Sequence, residues 1–207
     1  MHYPNGKKYT AHTSSSLPLK VNQPVSTFAN RGMNLEKLLN LSNQWYLDHH
    51  MAVVYKKPTP IQVVKVDYPK RSQAKITEAY YRQASTTDYN GVYKSYYIDF
   101  EAKQANLKTR FSLNNFHPHQ IRHMGRCQEQ GGITFAILHF TPLGETYLYP
   151  YDSLKEDWSA FENHQVASIP LKKIKKEGYL IPSCGFPALD YLSALDQYLQ
   201  SFNHNFK

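Results

Sequence analysis

The chain has 207 residues, with 24 Lys and Arg against 16 Asp and Glu and a formal net charge of +8. Aromatic residues make up 14% of it, which excludes the aromatic-poor composition of disordered chains. Its two Cys are too few for a disulfide framework or a four-Cys zinc site. Since no apolar run approaches the ~20 residues of a membrane span, we expect a soluble, cytoplasmic protein that does not bind membranes.

The positive charge is concentrated in the first half of the chain. Residues 1–110 carry 16 Lys and Arg against 7 Asp and Glu, whereas residues 111–207 carry 8 against 9. A localised basic surface is the expected footprint of a polyphosphate partner such as DNA. The same charge could serve only solubility, so composition alone leaves both interpretations open.

The predicted elements begin after a Ser-, Pro- and Lys-rich stretch at residues 1–30, which we interpret as a flexible basic arm. Apolar residues at helical spacing then predict an amphipathic helix of roughly 15 residues. Asn34 is its expected N-cap. Residues 52–55 predict a short strand.

A basic excursion follows, bounded at its start by Pro58 and Pro60. Residues 61–68 are β-branched and predict a strand. The pattern of residues 73–83 does not decide between strand and helix. Because Pro bounds the segment and its tip is basic, we interpret it as an arm that projects from a core.

The remaining elements alternate between strands and helices. Residues 86–91 predict a turn rich in Asp, Asn and Gly, and residues 92–103 predict one long strand. Further along the chain, a helix is expected at residues 118–130, strands at 133–141 and 145–149, and helices at 153–163 and 188–202. This order indicates an α/β fold with a mixed sheet.

Asp88, Glu101 and Lys103 form the strongest chemical pattern. Side chains two apart on a strand share a face, so Glu101 and Lys103 point the same way, and the turn can bring Asp88 beside them. Two carboxylates suit Mg²⁺, and a neighbouring Lys can stabilise charge on a phosphate undergoing attack. As a bare pattern it is weak, because a surface strand with alternating charges has the same sequence.

Two more residues offer oxygen atoms to such a site. Thr86 lies two residues before Asp88, and Gln120 lies in the first turn of the predicted helix. Gln120 could equally form a hydrogen bond at the helix terminus. Glu36 is either an acid favoured by the dipole of the first helix or a residue supporting the metal ligands from behind.

Longer motifs run through residues 31–140. They are Arg31-Gly32-Met33 with Glu36, Ser42-Asn43, Lys56-Lys57-Pro58-Thr59-Pro60-Ile61-Gln62, Val66-Asp67-Tyr68-Pro69, Ser85-Thr86-Thr87-Asp88-Tyr89-Asn90-Gly91-Val92-Tyr93, Tyr97-Ile98-Asp99-Phe100-Glu101-Ala102-Lys103, Asn115-Phe116-His117, and His119-Gln120-Ile121 with His123-Met124. Together they resemble the RecU family of bacterial Holliday-junction resolvases. Motifs of this length are far more specific than a short pattern.

The resemblance implies a restriction-endonuclease-like fold, a mixed sheet flanked by helices, in a nuclease domain at residues 31–207. It implies a homodimer whose projecting stalk, at about residues 57–80, enters the centre of a four-way DNA junction. Paired symmetric nicks would then resolve the junction during recombination and repair. The RecA recombinase and the RuvB branch-migration motor are the further partners implied.

The resemblance also implies residue roles. The Mg²⁺ site, in which Mn²⁺ can substitute, would comprise Thr86, Asp88, Glu101 and Gln120, while Lys103 would stabilise the transition state. We expect DNA contacts from basic residues inside and outside the stalk, namely Arg31, Lys56, Arg71 and Lys75.

Two other functions stay open at this point. An endonuclease of the same fold could cut linear duplex, and a non-catalytic junction-binding module could modulate a recombinase without any metal. The spacing of His119 and His123 is zinc-like, but no third ligand with suitable spacing accompanies it. Cys184 has no partnered His that would make it a nucleophile.

Overall fold

A computed structural model of the chain describes residues 34–68, 74–82, 86–183 and 185–204. The arm predicted at residues 1–30 lies outside the described residues, as do Arg31, Arg71 and Cys184. In the part described, no helix has the length and apolar character needed to cross a membrane.

Five α-helices are described, α1 Leu35–Asp48, α2 Pro118–Glu129, α3 Tyr151–Glu162, α4 Leu171–Glu177 and α5 Tyr191–His204, together with a short 3-10 helix at Leu113–Asn115. The strands are β1 Val53–Lys56, β2 Ile61–Asp67, β3 Lys75–Tyr81, β4 Tyr89–Tyr93, β5 Tyr96–Ala105, β6 Arg110–Ser112, β7 Ile133–Phe140, β8 Glu145–Pro150, β9 Ser168–Pro170 and β10 Tyr179–Leu180. Short elements without a clear period, such as α4, β6, β9 and β10, are absent from the sequence-based prediction.

A six-stranded sheet in the order β1-β4-β5-β7-β8-β10 organises the larger part of the described chain. The pair β5–β7 is parallel and the other neighbours are antiparallel. Successive residues of a strand face opposite sides, so Phe135 and Ile137 pack towards α1 and α5, while Ala136 and Leu138 pack towards α2, α3 and α4. The predicted α/β class, a mixed sheet flanked by helices, is confirmed.

Helix α1 begins where the sequence predicts. The Asn34 side chain accepts a hydrogen bond from the backbone N–H of Lys37 at 2.9 Å, which satisfies one of the free donors of the first turn. Leu35, Leu38 and Leu39 are buried against the sheet. The helix therefore packs against β1 and β5, and its first turn lies beside Asp88, in the loop before β4, and Lys103 on β5.

Strands β2 and β3 form a separate antiparallel pair, and residues 58–84 belong to a compact unit distinct from the rest of the described chain. The register runs from Ile61 opposite Tyr81 to Asp67 opposite Lys75. The sequence pattern of residues 73–83 leaves strand and helix open, and the structure shows a strand at Lys75–Tyr81 within that segment. The side chains of β2 and β3 are almost all exposed, because a two-stranded ribbon has no second layer to cover it. The stalk role of residues 57–80 stays a prediction.

The expectation of one long strand over residues 92–103 is wrong. The chain reverses at Lys94 and Ser95, whose φ angles are 47° and 70°, and β4 pairs with β5 from Tyr93 opposite Tyr96. Two consecutive positive φ angles characterise a tight hairpin turn that normally carries Asn-Gly. Because Lys-Ser lacks that signature, the continuous β-rich composition hides the turn.

Gly91 lies within β4 and not in the turn predicted at residues 86–91. A Cβ at this position would lie 2.1 Å from the carbonyl oxygen of Val53. The glycine therefore permits the close approach of β1 to β4, which brings Lys56 and Lys57 alongside the segment that contains Asp88.

Candidate active site

Asp88, Glu101 and Lys103 are brought together at β5. Tyr89 pairs with Phe100 across β4 and β5, so Asp88 lies next to Glu101. The backbone N–H of Asp88 donates to Oε2 of Glu101 at 3.2 Å, and Nζ of Lys103 lies 2.8 Å from Oε1. The hairpin at Lys94 and Ser95, which the sequence did not predict, sets the register between β4 and β5. The expected contact between Asp88 and Glu101 is present, but it depends on this strand pairing and not on a turn before one long strand.

Gln120 approaches the same carboxylate from α2. Its amide nitrogen donates to Oε1 of Glu101 at 2.7 Å, while its amide oxygen accepts from the backbone N–H of His117 at 2.9 Å. The helix-terminus bond and the contact with the site therefore coexist in one side chain. A direct metal contact from Gln120 would require its oxygen to leave the helix terminus.

The Glu101 carboxyl is fully buried, and its electrostatics follow from that burial. Desolvation, followed by the negative charge of Asp88, raises the pKa of Glu101 to about 8, although Lys103 acts in the opposite direction. A buried carboxyl beside a second carboxyl is stabilised in its charged form by any nearby cation. The oxygen donors of Asp88 and Glu101 fit a hard divalent cation.

An open polar cavity of about 240 Å³ lies beside these residues. Asp88, Lys103, Glu36 and Lys56 are among its lining residues. Glu36, in the first turn of α1, pairs with Lys56 at 2.7 Å, and both side chains are substantially exposed. The cavity therefore presents both signs of charge, and a phosphate group would compete with Glu36 for Lys56.

The other predicted site residues are separate from this contact set. Thr86 donates its hydroxyl to the Thr87 carbonyl at 3.3 Å, and it adjoins the Asp88 loop by sequence. Lys75 lies exposed on β3, in the unit formed by residues 58–84. Arg31 and Arg71 lie outside the described residues.

Sequence reasoning missed a second polar cluster on the same face of β5. The fully buried carboxylate of Asp99 contacts Nζ of Lys57 at 2.6 Å, the hydroxyl of Tyr97 at 2.7 Å and Nε2 of His123 at 3.2 Å. The Thr87 hydroxyl donates to the same carboxylate. Asp99 lies two residues before Glu101, so strand alternation alone identifies it as a polar residue on this face. Lys57 is 42 residues away in the chain, and no local pattern links the two.

Comparisons with known proteins point to one family over nearly the whole chain. The family model described as recombination protein U, RecU, matches residues 30–197. A protein of Leuconostoc citreum named Holliday junction resolvase RecU is 49% identical over 205 residues, covering 98% of this chain and 99% of the relative. Proteins with the same name from Limosilactobacillus reuteri and Geobacillus kaustophilus are 53% and 52% identical, over 95% and 94% of this chain and 96% and 95% of theirs.

The solved structures include a match with a low TM-score. Hjc, a Holliday junction resolvase from Archaeoglobus fulgidus, matches with a TM-score of 0.30 and 10% sequence identity. The match covers 57% of this chain and 71% of Hjc.

Proposed function

Because the chain belongs to the RecU family, we propose that it is a structure-specific endonuclease that resolves Holliday junctions during homologous recombination and DNA repair. The observation that carries this proposal is the meeting of Asp88, Glu101 and Lys103 at one buried carboxylate. Two carboxylates beside an ammonium suit phosphodiester hydrolysis, in which negative charge increases at the phosphate.

Asp88 and Glu101 are the proposed ligands of Mg²⁺, with Thr86 as a further oxygen donor and Mn²⁺ able to substitute. Carboxylate and hydroxyl oxygens are the ligands that Mg²⁺ prefers, and the raised pKa of Glu101 indicates a position where a cation is favoured. A divalent cation bound there would lower the pKa of a coordinated water and polarise a phosphoryl oxygen. Gln120 is the fourth proposed ligand, and its 2.7 Å hydrogen bond to Glu101 supports this because it brings the side chain to the same carboxylate.

Lys103 is the proposed stabiliser of the transition state. Its ammonium is held 2.8 Å from Glu101 and lines the open cavity, so it can face a phosphate that enters there. Attack by water forms a new phosphorus–oxygen bond and breaks the bond to the leaving sugar oxygen. The lysine offsets the negative charge that accumulates on the phosphate during this exchange.

The proposed DNA contacts are electrostatic. Lys56 borders the cavity and Lys75 is exposed on β3; Arg31 and Arg71 are the two further basic residues proposed. We expect binding to follow junction shape and phosphate positions more than base sequence.

A homodimer is the proposed working form. A four-way junction has two-fold symmetry and needs two opposed cuts, and a two-fold dimer presents two copies of one nuclease centre. Interaction with RecA and RuvB, and Glu36 supporting the metal ligands from behind, remain predictions that rest on the family resemblance.

A substrate comparison tests the function. The purified protein is incubated with a mobile four-way junction and with linear duplex of matched sequence, each with Mg²⁺ or EDTA. We expect paired symmetric nicks on the junction only, abolished by EDTA. Nicks on linear duplex would support the linear-duplex endonuclease, and tight junction binding without nicks would support the non-catalytic module; either result would contradict the proposal.

A further inference from the structure

The Lys57 ammonium lies in a mostly buried polar cluster with Asp99, Thr87 and His123, next to the proposed metal site. Nζ lies 2.6 Å from Oδ2 of Asp99, 2.9 Å from the hydroxyl of Thr87 and 3.3 Å from Nε2 of His123. Its side chain is only 15% exposed and that of Asp99 is fully buried. A buried carboxylate is strongly unfavourable without a positively charged partner, and Lys57 is such a partner for Asp99 at 2.6 Å.

The same lysine holds the loop that carries Asp88 at two points. Its backbone N–H donates to the Asp88 carbonyl at 2.7 Å, and its side chain reaches Thr87, the residue between Thr86 and Asp88. The Thr87 hydroxyl in turn donates to Asp99. Lys57 thereby joins residues 86–88 to β5, two residues from Glu101.

The cluster has the composition of a cation site. Asp99, His123 and Cys127 offer ligand atoms that all lie within 4.8 Å of one another. The Lys57 ammonium, however, contacts both Asp99 and His123. The Lys57 ammonium therefore supplies the positive charge that Asp99 and His123 would otherwise take from a metal ion.

We propose that Lys57 is a positioning residue for the metal site: its buried ion pair with Asp99 holds the 86–88 loop against β5, so that the Asp88 and Glu101 carboxylates face one cation. This inference rests on the proposed metal-dependent function. Residues that orient metal ligands from behind commonly contribute about 10- to 100-fold to metal affinity, and Lys57 is expected to act in that range.

The test measures Mn²⁺ binding to the full-length protein without DNA, by the decrease of the free-ion electron paramagnetic resonance signal. Lys57→Met removes the ammonium and keeps the length of the side chain. The double variant Lys57→Met/Asp99→Asn also removes the unpaired buried charge, so that its stability recovers while the lysine link to the loop stays broken. Lys173→Met is the matched control, because Lys173 forms a partly buried 2.7 Å pair with Asp157 on α3.

We expect Lys57→Met and the double variant each to bind Mn²⁺ about 10- to 100-fold more weakly than the wild type. Lys173→Met should lower the melting temperature and leave Mn²⁺ affinity unchanged. Wild-type affinity in the folded double variant, or an equal decrease in Lys173→Met, would overturn the role of Lys57 and leave the metal site standing. Absence of Mn²⁺ binding by the wild type, with the same result for Asp88→Asn, would overturn the metal site itself and the inference with it.

Discussion

The backbone N–H of Asp88 donates to the Glu101 carboxylate at 3.2 Å. This bond ties the loop before β4 to β5, so the two carboxylates among the proposed metal ligands are held next to each other by paired strands of one sheet. A site built on paired strands is more precise than one built on loops alone. Lys103 and Gln120 also contact Glu101, and substituting each residue in turn separates its effect on cleavage from its effect on stability.

Lys103→Met removes the ammonium beside Glu101. We expect junction cleavage at saturating Mg²⁺ to slow by about 100- to 1,000-fold, the usual effect of removing one group that stabilises transition-state charge. Mn²⁺ binding should persist, because the carboxylates remain. Lys108→Met, an exposed lysine beyond the end of the same strand, serves as the control and should cut at the wild-type rate; an equally slow rate in both variants would contradict the assigned role.

Glu101→Gln has a predictable effect on stability that depends on pH. Glu101 has a folded-state pKa of about 8, raised by burial and by Asp88 from its ordinary value of 4.5. The folded state therefore holds this proton more tightly than the unfolded state, and the free energy of unfolding falls as pH rises through this interval. In EDTA, the melting temperature of Glu101→Gln relative to the wild type should be higher at pH 8 than at pH 5.

Asp88 and Lys103 are the charged groups that contact this carboxyl, and the Gln variant retains both. A difference between variant and wild type that does not change from pH 5 to pH 8 would show that Glu101 ionises in the folded state as it does in the unfolded one. Differential scanning calorimetry at both pH values gives the comparison.

Gln120→Ala breaks two hydrogen bonds at once, one to Glu101 and one to the backbone N–H of His117. Glu101 keeps Lys103 and the Asp88 N–H as partners, so each lost hydrogen bond costs about 0.5–1.5 kcal/mol, and about 1 kcal/mol shifts the melting temperature by roughly 2–4 °C in a chain of this size. We expect a lower melting temperature and slower cleavage. Gln128→Ala, on the same helix, also breaks two hydrogen bonds, one to Asp152 and one from the buried Thr134 hydroxyl; it should lower the melting temperature by a similar amount and leave cleavage unchanged.

Lys75→Ala tests the electrostatic role of the β2–β3 pair. For every phosphate that a variant no longer neutralises, the slope of log affinity against log salt decreases by about 0.9. We expect weaker junction binding and a flatter slope, measured by fluorescence anisotropy over a range of salt. Lys155→Ala, an exposed lysine on α3, changes the net charge equally, and an equal change of slope in both variants would assign the effect to net charge.

Much of the sheet and part of the site follow from local sequence patterns. Periodicity and an N-cap predict α1, and strand alternation identifies Glu101 and Lys103 as one face. The hairpin at Lys94 and Ser95 is not predictable in this way, because its residues lack the usual turn signature. The pairing of Lys57 with Asp99 depends on the approach of β1 to β4, which is a tertiary effect.

The orientation of Gln120 shows the same limit at the scale of one side chain. Its position in the first helical turn follows from Pro118, which favours a helix start. Which end of its amide faces Glu101 depends on the competing donor at His117. Residue type and spacing carry no information on that choice.

In the proposed nuclease centre, Glu101 acts in the chemical step and not in DNA binding. The most direct measurement compares wild type and Glu101→Gln in two assays, junction affinity in EDTA and single-turnover junction cleavage in Mg²⁺. We predict equal affinity and a cleavage rate at least about 100-fold lower for the variant. Cleavage at the wild-type rate by a folded Glu101→Gln protein would contradict the proposed nuclease centre.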